Sequence, residues 1–182
     1  MPRYSPSLYP RERHYNPFIR EHDLIVFGVP LHGGQLLSAL ELPWFSLVPP
    51  RGYGVLTTTG RKTGKQRRKC IRAIRRGDSV YVVSIAGAKA GWLKNLQTNP
   101  SVSLRIRGGT FAGRVRELSD PLELEQALSA YTESVSVVDY MACMNWRKGR
   151  PTRSKIKDLT RGWFREGTPL VIELDTSRQS AP

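Results

Sequence analysis

Hydrophobic and β-branched residues fall in short segments separated by turn-forming residues, and this pattern predicts a sheet. Strand-like segments occupy residues 55–59, 69–75, 79–84, 102–106, 110–117 and 169–175. The segments RRGDS (75–79) and RGG (107–109) lie between consecutive strands, where hairpin turns are expected. Short strands joined by turns favour a mainly β, α+β fold, and we predict a small antiparallel barrel with peripheral helices.

Helical patterns lie between and after these strands. The segment GWLKNLQTNP (91–100) carries its apolar residues on one helical face and ends with a proline. Pro121 follows the candidate N-cap Asp120 and begins a second predicted helix. No element is predicted for the basic, glycine-punctuated residues 145–168.

The N-terminal region separates into two parts. Residues 1–22 are rich in proline, tyrosine and charge, which predicts a flexible arm. Residues 23–44 contain clustered apolar residues split at Gly33–Gly34, and we expect two short helices there. The length predicts one domain, residues 23–176, with a disordered tail at 177–182.

The charge of the chain points to an anionic partner. Its 29 lysines and arginines exceed its 15 aspartates and glutamates, which gives a formal net charge of +14. Such a surplus repels itself and usually accompanies an anionic ligand. Nucleic acid, an anionic membrane surface and a phosphorylated or polycarboxylate small molecule are all compatible with it.

Cysteine and histidine usage indicates neither a disulfide framework nor a metal site. The 2 cysteines, Cys70 and Cys143, are interpreted as buried and inert. The apolar segment LIVFGVPL (24–31) is far shorter than a bilayer-spanning helix. We therefore expect a cytoplasmic protein without metal, and peripheral attachment to a membrane stays open.

The most distinctive chemistry lies in GRKTGKQRRK (60–69). Its two glycines let the backbone approach a ligand, and its lysines and arginines are suited to phosphate or carboxylate. It is not a nucleotide-hydrolase phosphate loop, because only three residues separate Gly60 from Gly64 and a strand follows. A solvated hairpin tip and a nucleic-acid site, with Tyr53, Tyr81 and Trp92 as stacking residues, are the alternatives.

Three motifs together resemble the deazaflavin-dependent nitroreductase/quinone reductase family: TTTGRKTGKQRRK, GDSVYVVSIAG and GWLKNLQTNPSVSL. The resemblance covers about residues 55–117. It implies a split β-barrel of the FMN-binding type, and the coenzyme 8-hydroxy-5-deazaflavin F420 rather than FMN. This coenzyme carries a phosphate and an oligoglutamate tail, which agrees with the basic segment. Split barrels of this type often pair, so a homodimer is compatible with the resemblance.

The same resemblance implies candidate site residues. The residues expected to hold the phosphate and tail are Arg61, Lys62, Thr63, Gly64, Lys65, Arg67 and Arg68. The residues expected along the deazaflavin ring are Ser84, Ile85, Ala86 and Gly87. Trp92 and Asn95 match the family's W-x-x-N segment, with core packing as the alternative for Trp92. Tyr131 and Tyr140 are the candidate catalytic proton donors, again with core packing as the alternative.

These observations predict a reductase that passes a hydride from reduced deazaflavin to an activated hydrophobic acceptor, such as a quinone, nitroaromatic or enone. The first alternative is a protein of the same fold that binds a lipid or fatty acid, or a membrane surface, without deazaflavin turnover. The second alternative is a nucleic-acid-binding protein.

Overall fold

A seven-stranded antiparallel sheet forms the centre of the structure, a computed structural model that describes residues 24–26, 29–31, 44–147 and 149–175. Two short strands precede the sheet, β1 (Leu24–Val26) and β2 (Val29–Leu31). The strands of the sheet are β3 (Tyr53–Thr59), β4 (Gln66–Arg72), β5 (Ile74–Arg76), β6 (Ser79–Ser84), β7 (Ser101–Ile106), β8 (Gly109–Glu117) and β9 (Thr168–Leu174). Their order in the sheet is β4-β3-β7-β8-β9-β6-β5.

The sheet curls because its two edge strands are joined by one residue. β4 ends at Arg72 and β5 begins at Ile74, although they lie at opposite edges. The intervening Ala73 donates its N–H to the carbonyl of Gly52 at 2.9 Å. The predicted continuous strand over 69–75 is therefore interrupted, because the chain crosses the split between the edges there. The predicted antiparallel split barrel is confirmed.

The barrel has two ends that matter for the site. β3 and β6 run in the same direction, since four antiparallel pairings separate them in the sheet. Thr59 and Ser84, the last residues of these two strands, therefore lie at the same end of the barrel, which we call the upper end. Tyr53 pairs with Arg72, and Gly54 pairs with Ile106, at the opposite, lower end. Six strand steps of about 3.4 Å place the two ends of β3 about 20 Å apart.

Besides the helical residues 44–47, four α-helices accompany the sheet in the described part of the chain. They are α1 (Gly91–Thr98), α2 (Pro121–Glu133), α3 (Val137–Trp146) and α4 (Arg153–Glu166), and a 3-10 turn spans Gly87–Lys89. Helix α2 begins as predicted, because the Asp120 carboxylate accepts the N–H of Glu123 at 2.8 Å. None of the helices in this part of the chain is long and apolar enough to cross a bilayer.

Some expectations from the sequence are wrong or incomplete, and others lie outside the described residues. The first predicted helix of residues 23–44 is wrong, because Leu24 pairs with Leu31 and Val26 with Val29 in an antiparallel ladder. The periodicity of so short an apolar segment does not distinguish a helix from a strand. The second predicted helix falls largely outside the described residues, and 44–47 are helical. Helix α4 was not predicted. The arm at 1–22 and the tail at 177–182 also lie outside the described residues.

Candidate functional site

Part of the basic segment singled out in the sequence forms a tight turn at the upper end of the barrel. This basic turn, residues 60–65, connects β3 to β4. Gly60 donates its N–H to the Lys65 carbonyl, and Gly64 donates to the Gly60 carbonyl, each at 2.8 Å. Gly64 has a φ of 67°, a left-handed conformation that favours glycine. The turn leaves the side chains of Arg61, Lys62 and Lys65 exposed to solvent.

Asn95 of helix α1 fixes the basic turn from behind. Its Oδ1 accepts the Arg61 N–H at 3.2 Å and the Arg61 Nη1 at 3.5 Å. Its Nδ2 donates to the hydroxyl of the buried Thr58 at 3.2 Å. Asn95 is 6% exposed, and both polar atoms of its amide are used within the protein. Its contacts therefore position Arg61, a role that the motif match alone did not distinguish from ligand binding.

Strand alternation separates the two arginines that follow the basic turn. Arg67 lies opposite Thr58 in the ladder and shares the face on which Thr58 meets Asn95. Arg68 lies opposite Thr57, on the other face, and donates its Nη2 to the Ser46 hydroxyl at 2.8 Å. Arg67 thus stands with the basic turn, while Arg68 holds the helical residues 44–47 against the strand.

The Ser84–Gly87 segment leads from the upper end of β6 into helix α1. The buried Ser84 hydroxyl donates to the Gly87 carbonyl at 3.1 Å, and Gly87 has a φ of 53°. Ile85 is half-buried and Ala86 is exposed. Helix α1 begins without a side-chain cap or an acidic residue in its first turn. Trp92 of this helix packs, partly buried, against the barrel core, which agrees with the core-packing alternative.

The chemistry of the basic turn fits a polyanionic coenzyme. Among the described residues, no carboxylate pairs with Arg61, Lys62, Lys65 or Arg67, so most of the donors of these cations stay available for a ligand. Guanidinium and ammonium groups bind phosphate and carboxylate oxygens through charge-assisted hydrogen bonds. The residues present therefore suit a group that carries a phosphate and several carboxylates.

The two candidate tyrosines occupy different environments. Tyr131 is 1% exposed, packs against Phe164 with 5.7 Å between ring centroids, and lies beneath the Arg72 guanidinium. Burial raises the pKa of Tyr131 to about 12. Tyr140 lies on helix α3 and is 40% exposed. Of the two side chains, Tyr131 is enclosed in the core and Tyr140 is partly exposed.

A buried ion pair, not anticipated from the sequence, fixes helix α3. Arg72 Nη1 lies 3.4 Å from Asp139 Oδ1, and both side chains are almost fully buried. The Tyr53 hydroxyl donates to the same Oδ1 at 2.7 Å. Burial, reinforced by the Asp139 charge, holds the pKa of Tyr53 well above its usual range. Asp139 Oδ2 also accepts the N–H of Ser136 at 2.7 Å, which fixes the start of α3. No local motif could reveal a pair separated by 67 residues.

Helix α3 and the segment around Phe45 pack on the same face of the sheet and carry exposed apolar side chains. Val138 of helix α3 and Phe45 both pack against the outer face of β3 and β4, around Val55 and Cys70. The two segments also carry large apolar side chains that face solvent: Trp44, Leu47, Val48, Val137, Met141 and Met144. We call these six residues the apolar surface.

The chain is similar to several solved structures at low sequence identity. An F420-H2 dependent reductase is 21% identical, with a TM-score of 0.46, and the match covers 69% of this chain and 97% of that one. A conserved hypothetical protein from Mycobacterium tuberculosis is 18% identical, with a TM-score of 0.47 and coverages of 76% and 81%. A domain-swapped dimer is 20% identical, with a TM-score of 0.45 and coverages of 68% and 81%.

Family membership rests on the sequence profile rather than on these likenesses. The profile of the F420H(2)-dependent quinone reductase family matches residues 48–144, more than half of the 182 residues. The matched range contains the basic turn, the Ser84–Gly87 segment and helix α1 with Asn95. The chain therefore belongs to the F420H(2)-dependent quinone reductase family, and its cofactor is the deazaflavin coenzyme F420.

Proposed function

We propose that this protein reduces a hydrophobic two-electron acceptor, such as a quinone, a nitroaromatic or an enone, with hydride from reduced F420. The observation that carries the proposal is the pairing of two surfaces. The basic turn offers unpaired cations for a polyanionic coenzyme, and the apolar surface beside helix α3 offers contacts for an apolar acceptor.

In this proposal, the basic turn anchors the charged part of the coenzyme. Arg61, Lys62, Lys65 and Arg67 bind the phosphate and glutamate carboxylates, while Thr63 and Gly64 shape the backbone between them. The Ser84–Gly87 segment and the uncapped start of helix α1 border the ring. Asn95 acts through Arg61 as a positioning residue, and Arg68 and Trp92 support the surrounding structure.

The reaction requires a proton as well as a hydride. When bound, reduced F420 supplies two electrons as hydride and is itself oxidised. A quinone that accepts this hydride needs one further proton on an oxygen to become a hydroquinone. Of the two candidate tyrosines, we assign the proton delivery to Tyr140, because its side chain is partly exposed whereas Tyr131 is enclosed in the core.

The first test follows the oxidation of reduced F420 by the purified full chain with a panel of acceptors. A short-chain quinone, a nitroaromatic and an enone are compared with a polar acceptor of similar reduction potential. We expect faster turnover with the apolar acceptors than with the polar one. This preference should weaken in the double variant Met141→Ser plus Met144→Ser. Equal turnover with the polar acceptor, or no effect of these substitutions, would contradict the acceptor assignment.

The second test concerns the proton donor. Tyr140→Phe should lower kcat by about tenfold or more without changing F420 affinity, because general acid catalysis typically contributes about 10²- to 10⁴-fold. Gln126→Ala, at an exposed position of helix α2 outside the apolar surface, serves as the control. An unchanged kcat and pH profile in Tyr140→Phe would assign the proton to water instead.

The apolar surface also supports a second candidate function, attachment to an anionic membrane. Exposed Trp44 and Leu47 lie beside Arg68 and Arg105, which contact Ser46 and the Leu47 carbonyl. Apolar insertion beside cations suits an anionic lipid surface. Flotation with anionic and neutral vesicles tests this, with Trp44→Ser plus Leu47→Ser as the variant. A concentration-dependent change in mass without vesicle binding would favour a homodimer at this surface.

A further inference from the structure

An arginine-rich cleft opens at the lower end of the barrel, away from the basic turn. The cleft has a volume of about 720 Å³. The arginines along it are Arg51, Arg75, Arg76, Arg107 and Arg153. Its floor is formed by small or apolar residues, which include Gly52, Ala73, Ile74 and Ile106. We call this feature the arginine cleft.

The described lining of the arginine cleft carries little negative charge. Its one acidic residue, Glu133, is paired with Lys157 and also interacts electrostatically with Arg153. Within the described ranges, Arg51 and Arg107 make no ion pair or side-chain hydrogen bond. Positive charge that converges on a concave surface attracts an anionic ligand.

One guanidinium of the cleft is held in place before any ligand arrives. The Arg75 guanidinium lies 4.6 Å from the centroid of the Phe111 ring, and its Nε donates to the Gly77 carbonyl at 2.8 Å. These contacts restrict the Arg75 side chain, which reduces the entropy that binding through it must cost.

The arginine cleft is separate from the coenzyme anchor. Gly52, Tyr53 and Ile106 line it at the lower end of β3 and β7, whereas the basic turn follows Thr59 at the upper end. The length of β3 places the two regions about 20 Å apart. Part of the positive charge of the chain is therefore placed at two separate sites.

The shape of the cleft favours a phosphorylated small molecule. Several guanidinium groups on different elements can each form paired hydrogen bonds with the tetrahedral oxygens of linked phosphates, whereas a planar carboxylate accommodates fewer. Its volume falls within the range of about 300–1,000 Å³ typical of small-molecule sites. Ile74, Ile106 and Val135 provide an apolar wall for the rest of the ligand.

We propose that the arginine cleft is a second ligand site, which binds a small molecule carrying two or more linked phosphates. The site is independent of coenzyme turnover, because it lies at the opposite end of the barrel. Its occupant is a small molecule, since the cleft offers a volume of about 720 Å³.

The test is calorimetric titration of the full chain with inorganic triphosphate, with and without saturating F420. The cleft variant is Arg51→Ser plus Arg107→Ser, and the control variant is Arg114→Ser plus Arg165→Ser, which removes the same charge from exposed positions elsewhere. Arg61→Ala plus Lys65→Ala reports on the coenzyme anchor. Citrate, duplex DNA and phosphoinositide vesicles serve as comparison ligands.

We expect one triphosphate site that persists with F420 bound and weakens tenfold or more in the cleft variant. The control and the basic-turn variants should stay within threefold of the parent. If the cleft variant fails to fold, Arg153→Gln on helix α4 provides a second test, with an expected loss of at least threefold.

Three results would overturn the proposal. They are the absence of a site beyond the F420 anchor, an equal loss in the cleft and control variants, and tighter binding of citrate, DNA or vesicles through the same arginines. Because the titration needs no turnover, it is independent of the acceptor assignment and of Tyr140.

Discussion

Strand β4 carries arginines with opposite roles at its two ends. At the upper end, Arg67 is exposed, stands beside the basic turn and has no carboxylate partner in the described structure. At the lower end, Arg72 is buried, paired with Asp139, and donates to the carbonyls of Tyr131 and Ser134. The same residue type is therefore available to a ligand where it meets water and supports the structure where it is enclosed.

This difference has an energetic basis. An exposed guanidinium keeps its hydration until a ligand replaces it, so its removal changes affinity more than stability. A buried guanidinium has exchanged its hydration for fixed partners, and removing it leaves those partners without compensation. Substitutions at the two ends of the barrel should thus separate stability from F420 affinity.

The largest effect is expected for Arg72→Ala. The substitution leaves the Asp139 carboxylate buried without its cation, and the free energy of unfolding should fall by about 3–5 kcal/mol. Urea denaturation measures this change. Arg67→Ala, on the same strand, is the control and should stay within about 0.5 kcal/mol of the parent. A similar loss in both variants would remove the distinction between the two ends.

A pH titration of stability examines the enclosed lower end without changing Arg72. The pKa of Tyr131 is raised by burial from 10.0 to about 12. The folded state therefore keeps the neutral hydroxyl while the unfolded state ionises. This stabilisation is complete below pH 10 and disappears as the pH rises to about 12, a loss of about 3 kcal/mol. Between pH 10 and pH 12 the urea midpoint should fall less steeply with pH in Tyr131→Phe than in the parent. The same slope in both proteins would contradict the enclosure of Tyr131.

The corresponding test at the upper end is Arg61→Ala plus Lys65→Ala. Loss of two charge-assisted contacts should weaken F420 binding by about 2–3 kcal/mol, or about 30- to 150-fold. Fluorescence titration of the deazaflavin measures the affinity. The urea midpoint should not move, and Arg114→Ala plus Arg165→Ala controls for net charge. Unchanged affinity would mean that the basic turn does not anchor the coenzyme.

Asn95→Ala tests whether the position of Arg61 matters as much as its charge. The variant keeps every cation of the basic turn but removes the amide that holds Arg61 and Thr58. We expect about tenfold weaker F420 binding, a change near 1.4 kcal/mol. Gln97→Ala on the exposed side of the same helix is the control. Equal affinities in the two variants would restrict Asn95 to core packing.

The smallest effect is expected for Gly64→Ala. An added Cβ would meet no atom within 4 Å, so the penalty comes only from the φ of 67°. That conformation should cost about 1 kcal/mol in unfolding free energy for alanine. Gly91→Ala also meets no atom within 4 Å and serves as the control, because it has no positive φ. Comparable thermal midpoints for both variants would show that the basic turn relaxes freely.

Local signals in the sequence were sufficient for much of the barrel. The alternation in β7 and β8 and the Asp120–Pro121 helix start were read correctly, because each depends on neighbouring residues. The start of β4 at Gln66 was missed, because its first residues are polar and their strand conformation comes from pairing with β3. Helix α4 did carry a signal, since Ile156, Leu159, Trp163 and Phe164 follow helical spacing within its basic composition.

Part of the candidate site was also predictable from the sequence, because that part depends on neighbouring residues. The basic turn is contiguous, so its glycines and cations could be recognised together. The roles of Asn95, Arg68 and Arg72 depend on partners 34, 22 and 67 residues away, which only the folded chain identifies. The arginine cleft likewise combines Arg51, Arg107 and Arg153 from three separate segments.

The position of β9 in the sheet has a consequence for the timing of folding. β9 pairs with β8 on one side and with β6 on the other. In the chain, however, 50 residues separate it from β8 and 83 residues separate it from β6. During synthesis, β6 and β8 lack their shared neighbour until Thr168–Leu174 has left the ribosome. The barrel therefore completes late, through contacts between distant segments, which slows folding and prolongs the exposure of two strand edges.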